Sequence, residues 1–196
     1  VILPEVIQNN LTNQGSEGIL MERRQVILVA FYNKKATGVR YLEGALERAG
    51  YQVTTIFYKD FNSVRPRPST RREAELFLQV VREKQPVLVG LSVMGSMYLD
   101  TVYQLMDGLA REQIAPLVCG GAYATMFPEK LLERGADFVL RSDGERAICR
   151  LADALRLGSD WRSIPSLCWR EGGKIHQNEI GDLLSDVDGY GIPVVN

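Results

Sequence analysis

The chain has 196 residues, enough for one ordinary domain with a small appendage. Hydrophobic residues make up 45% and charged residues 24%, and Lys plus Arg (23) against Asp plus Glu (24) leaves a net charge of −1. That balance gives no support to a nucleic-acid-binding surface or to the polybasic patch of a membrane-surface protein, and excludes a strongly basic or acidic chain.

No apolar run approaches the roughly 18–20 residues of a membrane-spanning helix. The segment from Val1 to Gln8 lacks the basic start and small-residue cleavage site of a signal peptide. Cys119, Cys149 and Cys168 form an odd set without C-x-x-C spacing, which fits neither a disulfide framework nor a zinc or iron–sulfur site. A cytoplasmic location is therefore expected. His176 is the one histidine, so a mechanism needing two is excluded.

Residues 1–24 begin with a short apolar stretch and pass into a polar run from Asn9 to Gly15, read as a loop or weak extension. A regular rhythm then starts. Val26-Ile27-Leu28-Val29-Ala30-Phe31 is the continuous apolar run of a strand buried on both faces. Val39, Leu42, Leu46 and Ala49 recur at helical spacing before Gly50. Residues 51–58 alternate and are rich in β-branched and aromatic types, predicting a second strand. Pro66 and Pro68 mark a loop, and Ser69 or Thr70 can cap a helix to about residue 84, with Glu73 as the capping-box partner.

The alternation continues through a third strand at residues 87–92 and a helix over 98–112. A fourth strand at 116–119 ends in Gly120-Gly121, and Pro128 opens a short helix to about residue 134. A fifth strand covers 137–140, and a last helix runs to about residue 157 ahead of Gly158. The fold class expected is α/β: a doubly wound, Rossmann-like or flavodoxin-like parallel sheet of five strands in the order 2-1-3-4-5. Residues 166–177 read as a small C-terminal β-hairpin around Glu171-Gly172-Gly173 and the acidic residues 182–196 as a linker, the whole of Ser166 to Asn196 being expected to protect weakly against hydrogen exchange.

Ligands of such sheets bind beyond the C-terminal ends of the strands. Four loops of this chain converge there: residues 31–38, 92–98, 120–127 and 141–145, three of them with a glycine just past the strand. The glycines either allow close approach of a ligand or simply end strands. No G-x-G-x-x-G follows the first strand. The run from Gly90 to Met97 has Ser96 where a phosphate loop needs Lys. Glu145 is explained equally by ligand contact and by the positive end of a helix dipole. His176, Tyr98, Tyr103 and Tyr123, Cys149, and Arg71-Arg72 all have ordinary surface or packing explanations.

An ordered set of five motifs nevertheless resembles the cobalamin-binding domain found N-terminal to the core of radical S-adenosylmethionine enzymes. The motifs are Val89-Gly90-Leu91-Ser92; Cys119-Gly120-Gly121-Ala122-Tyr123-Ala124-Thr125 with Pro128-Glu129; and Ala136 through Glu145, where Ser142-Asp143-Gly144-Glu145 departs from the family's G-E-G-E. Ile164-Pro165-Ser166-Leu167 with the hairpin, and Asp186-Val187-Asp188 to Pro193, complete the set.

The resemblance implies residues 1–24 as an extension, 25–160 as the cobalamin domain, and 161–196 as hairpin and linker toward a radical core outside this chain. S-adenosylmethionine and a [4Fe-4S] cluster would belong to that core, since C-x-x-x-C-x-x-C is absent here, and this chain would carry no catalytic residue and no metal ligand of its own. Contacts to cobalamin are expected from Asn33, Lys35, Gly38, Ser92, Met94, Gly95 and Ser96, and from Gly120, Gly121, Ala122, Tyr123, Ser142, Gly144 and Glu145. Other cobalamin proteins carry D-x-H-x-x-G after the first strand. Here that register reads Asn33-Lys34-Lys35-Ala36-Thr37-Gly38, with Lys35 at the histidine position. A protonated lysine has no lone pair for a metal, so the resemblance implies cobalamin with neither a protein histidine nor its own benzimidazole below the cobalt, an arrangement that accompanies methyl transfer and some ring rearrangements. The partners implied are cobalamin and a radical domain of the same chain. The competing reading is a doubly wound domain for a nucleotide-like effector or a partner protein, without cobalamin.

Overall fold

The computed structural model describes residues 23–60 and 67–181. The expectations for residues 1–22, 61–66 and 182–196 lie outside the described residues. Five parallel strands, β1 (Gln25–Phe31), β2 (Gln52–Tyr58), β3 (Leu88–Ser92), β4 (Leu117–Gly120) and β5 (Phe138–Leu140), alternate with helices. The helices are α1 (Thr37–Arg48), α2 (Arg71–Lys84), α3 (Leu99–Glu112), α4 (Ala122–Met126), α5 (Pro128–Glu133) and α6 (Glu145–Leu157), and a 3-10 turn (Ser96–Tyr98) precedes α3. The parallel strands follow the expected order 2-1-3-4-5, the winding that buries both faces of the sheet.

The hairpin is a correction to the sequence reading. Strands β6 (Leu167–Glu171) and β7 (Lys174–Gln177) are not an appendage: β6 pairs antiparallel with β5, β7 with β6, and the sheet has seven strands in the order β2-β1-β3-β4-β5-β6-β7. Leu167, Cys168 and Trp169 are buried, because pairing with β5 places them under the helices. Slow amide exchange in β6, as in the core strands, is therefore expected instead of weak protection.

Each face of the sheet has its own core. Alternate residues Ile27, Val29 and Phe31 of β1, with Val89 and Leu91 of β3, pack under α2 and α3 together with Phe77, Leu105 and Met106. The intervening residues Val26, Leu28 and Ala30 face α1 and α6, meeting Leu46, Ile148 and Leu151. Helix α2 starts where expected: the Thr70 hydroxyl accepts from the Glu73 amide, and the Glu73 carboxylate accepts from the Thr70 amide, a complete capping box. Lys59 completes the corner with a bidentate ion pair to Glu73 at 2.7 and 2.9 Å, which together with the Thr70 amide holds that carboxyl down at about 2.

At the opposite end of the strands, Asp137 accepts from the Leu117 amide at 2.8 Å and ties β5 to β4. Burial pushes its carboxyl up to about 6 against that hydrogen bond. A carboxyl whose folded pKa is raised favours the folded state while protonated and opposes it once ionised. The resulting loss of stability sets in as pH rises from about 4 through 6. Asp137→Asn keeps the acceptor and removes the charge. It should stabilise the fold by about 1–2 kcal/mol at pH 8 and by nothing measurable near pH 4; urea midpoints at the two pH values check this.

Candidate functional site

A slot of about 170 Å³ opens at the C-terminal end of the parallel strands, between the sheet and the helix pair α1 and α6. Its origin lies in the strand register. One ladder row on this face reads Leu28, Gly90, Val118 and Phe138, and the next row toward the strand ends reads Ala30, Ser92 and Gly120. Side chains shrink toward the strand ends, so the helices lose contact with the sheet there and leave a gap.

Gly90 is essential to this taper. A Cβ there would stand 2.9 Å from Leu28 Cδ2 and 3.9 Å from Ile148 Cδ1, blocking the floor. A Cβ on Gly120 would meet nothing closer than the Leu140 carbonyl oxygen at 3.8 Å, so that position opens into free space. Gly121 serves the backbone instead. Its φ is +98°, and a Cβ would lie 2.8 Å from the Val93 oxygen, so only glycine allows the chain to turn from β4 into α4.

The wall is mostly apolar. Leu28, Val39, Leu42, Leu140 and Ile148 line it, none distinguishable in the sequence from ordinary core residues. Val29, Leu91, Val118 and Asp143 also contribute and were likewise not expected. Of the residues expected from the sequence, Gly38, Ser92, Met94, Gly120, Gly121, Ser142, Gly144 and Glu145 are brought together around the slot.

The other six stand outside its wall. Asn33 and Lys35 lie exposed on the loop after β1, where the Asn33 carboxamide oxygen accepts from the Lys35 amide at 2.9 Å. Gly95 and Ser96 sit on the loop after β3, and Ala122 is exposed at the start of α4. Tyr123 is buried in the core under α2 and α3, its ring 5.1 Å from that of Phe127. The segment 122–126, read as loop, is the short helix α4.

His176 is on β7, stacked on Trp169 with centroids 5.1 Å apart and planes at 11°. Among the described residues no group of three His, Cys, Asp or Glu side chains converges to hold a metal. No described helix is long and apolar enough to cross a membrane.

Two features give the slot polar character. Ser142 adopts φ 61° and its amide donates to the Thr125 hydroxyl at 2.9 Å, turning the chain from β5 toward Gly144 and the start of α6. Glu145, the first residue of α6, has a buried Oε2 with no hydrogen-bond partner, and burial pushes its carboxyl up. A buried oxygen without a partner costs stability; beside an apolar slot it is an acceptor ready for a ligand. The size fits as well, since an apolar cavity of about 150 Å³ takes up benzene. The lining thus suits a flat aromatic group edged by a few hydrogen bonds.

The sequence matches the profile of the B12 binding domain over residues 24–152. The chain belongs to that family. It is a cobalamin-binding domain, which sets aside the effector or partner domain without cobalamin. It is 28% identical over 119 residues, 59% of its length, to an uncharacterized methyltransferase of Pyrococcus horikoshii, covering 26% of that protein. Among solved structures it resembles the radical S-adenosylmethionine methyltransferase TsrM from Kitasatospora setae, with a TM-score of 0.67, 24% identity, and coverage of 80% of this chain and 30% of that one. It also resembles the cobalamin-dependent S-adenosylmethionine radical enzyme OxsB: TM-score 0.64, 16% identity, 83% and 23% coverage. The chain therefore spans about a quarter to a third of the length of these relatives, and at these identities the structural likeness speaks for the shared fold.

The two neighbouring glycines separate by experiment. Gly121→Ala meets fixed backbone in a left-handed conformation and should cost about 2–3 kcal/mol, lowering the melting temperature by roughly 5–10 °C. Gly120→Ala meets no close atom and should shift the melt by no more than about 2 °C.

Proposed function

We propose that this domain holds cobalamin across the C-terminal ends of β1, β3, β4 and β5 with its nucleotide tail in the slot, and that it serves the radical S-adenosylmethionine core of a methyl-transferring enzyme. The observation that carries the first half is the taper formed by Gly90, Ser92 and Gly120: an apolar, flat gap where a benzimidazole released from cobalt would be buried. The second half is supported by the likeness to TsrM and OxsB and by the methyltransferase description of the Pyrococcus relative. On this reading the S-adenosylmethionine and [4Fe-4S] chemistry lies in sequence outside this chain, and the radical core is the domain's principal partner.

Bound cobalamin supplies a cobalt centre that carries a methyl group. The chain's own residues bind and orient it. Gly38, Gly120 and Gly144 let backbone approach the ligand closely. Ser92 and Ser142 offer hydroxyl donors at the mouth of the slot. The start of α6 at Glu145, the positive end of a helix dipole, favours an amide oxygen or phosphate. Glu145 Oε2 accepts a hydrogen bond, or its acid donates one. Gly95, Ser96, Ala122 and Tyr123 flank the mouth from the β3 and β4 loops, and Asn33 and Lys35 form the loop nearest the lower face. Lys35, exposed on that loop, offers hydrogen-bond donors, and a protonated lysine has no lone pair for a metal.

Absorbance titration of the apo protein with hydroxocobalamin and with cobinamide, which lacks the nucleotide tail, tests the slot. Cobalamin should bind at least tenfold more tightly than cobinamide, about 1.4 kcal/mol or more. Gly120→Val should remove that advantage and leave cobinamide binding unchanged. Equal affinities in the wild type, or no corrin absorbance bound at all, would end the proposal. The cobalt(II) form should show no nitrogen superhyperfine splitting by electron paramagnetic resonance, and His176→Ala should leave that spectrum unaltered. A three-line splitting would falsify the lower-face assignment.

A further inference from the structure

The loop after β3 forms one lip of the slot, and its positioning is unusual. Val93 is fixed by backbone alone: its amide donates to the Gly120 oxygen at 2.7 Å, and its oxygen accepts from the Tyr123 amide at 3.0 Å. Beyond Val93 the side chains of the loop are largely exposed. Met94 is 58% exposed, Met97 is 71% exposed, and a Cβ added to Gly95 would meet nothing within 4 Å. What reaches this stretch is a phenol. The Tyr98 hydroxyl oxygen accepts from the Met94 amide at 2.8 Å, and the Gly95 amide also faces it.

The ring of Tyr98 is buried and wedged among the last aromatics of β1. It stacks on Phe31 with centroids 5.8 Å apart at 21° and lies 5.4 Å from Tyr32. Tyr32 is in turn fixed by the Thr101 hydroxyl at 2.9 Å. Phe31 and Tyr32 lead directly into the loop that carries Asn33, Lys35 and Gly38. One side chain therefore touches the root of the β1 loop with its ring and the slot lip with its oxygen.

We propose that Tyr98 is a positioning residue for the ligand slot: its hydroxyl locks the Met94–Gly95 backbone in place and couples that lip to the β1 loop. The inference rests on the cobalamin reading only for what the lip receives. The lock itself is a property of the free protein. Burial keeps the phenol protonated at working pH, so the oxygen remains an acceptor with its own proton free to donate.

Tyr98→Phe keeps the ring and removes the acceptor. In the apo protein, hydrogen exchange at Met94 and Gly95 should accelerate at least tenfold, while Val89 and Leu91 exchange as before and the melting temperature moves by no more than about 3 °C. Tyr32→Phe, which leaves the ring stack and the Met94 bond intact, should not accelerate those two amides. Hydroxocobalamin should bind Tyr98→Phe roughly five- to tenfold more weakly, the loss of one ordinary hydrogen bond. Unchanged exchange at Met94 and Gly95 overturns the lock. Accelerated exchange with unchanged cobalamin affinity overturns the positioning role. Absence of cobalamin binding to the wild type overturns the functional reading, and the exchange measurement still decides on the lock.

Discussion

The structure depends on one steric constraint: two adjacent parallel strands carry no bulk on the same face at the same end. A parallel sheet is normally sealed on both faces by close-packed helices, because its strands are apolar on both sides. Here Leu28 and Phe138 fill the lower row beneath α1 and α6, but Gly90 interrupts it, and Ala30, Ser92 and Gly120 replace bulk in the row above. The helices are held by Leu46 and Leu151 farther down, so they cannot collapse onto the gap. A cavity that persists in a packed interior forfeits dispersion contacts and hydrophobic burial. The rest of the core, continuous on both faces of the sheet, offsets that cost and keeps the slot open.

The opposite face shows what the same sheet does when nothing is to be bound. Val29, Leu91 and Cys119 lie close-packed under α2 and α3, and burial pushes the Cys119 thiol far up, which leaves it inert. The aromatics Phe31, Tyr32, Tyr58 and Tyr98 close the end of this face with ring contacts of 5.4–5.9 Å. The sheet thus has a solid side and a slotted side. The slot's lip takes its support from the Tyr98 hydroxyl on the solid side and from the backbone bond of Val93 to Gly120.

How much of this was legible in the sequence follows from what periodicity reports. The continuous apolar runs at residues 26–31 and 87–91 indicate two-sided burial and the strand–helix alternation a parallel sheet, whereas the order 2-1-3-4-5 does not follow from periodicity and is expected only as the common winding of such sheets. The capping box at Thr70 and Glu73 could be read residue by residue. The hairpin could not. Leu167-Cys168-Trp169 followed by polar Arg170 and Glu171 looks like an independent ribbon, and only the pairing of Leu140 with Leu167 and Phe138 with Trp169 makes it part of the sheet. The glycines at the strand ends fitted a ligand site and plain strand ends equally well, and Leu28, Leu42 and Ile148 gave no sign of the slot, because a wall residue and a core residue have the same chemistry and differ in what stands opposite.

The separation between slot and β1 loop bears on chemistry. The slot is framed by sheet and helix and offers flat apolar contact, which stabilises binding without specifying what the ligand's reactive centre does. A fold of this kind supports several chemistries for that reason. In the loop 33–38, Asn33 and Lys35 are exposed outside the slot wall while Gly38 lines it, and the resemblance drawn from the sequence puts Lys35 where other cobalamin proteins carry histidine. An imidazole can offer a metal a lone pair; a protonated lysine can only donate hydrogen bonds to nearby acceptors. With His176 held on Trp169 at the far edge of the sheet, the described residues offer no other imidazole to the ligand edge. On the proposed reading, affinity resides in the slot formed by Gly90, Ser92 and Gly120, and the exposed Lys35 lies apart from that surface.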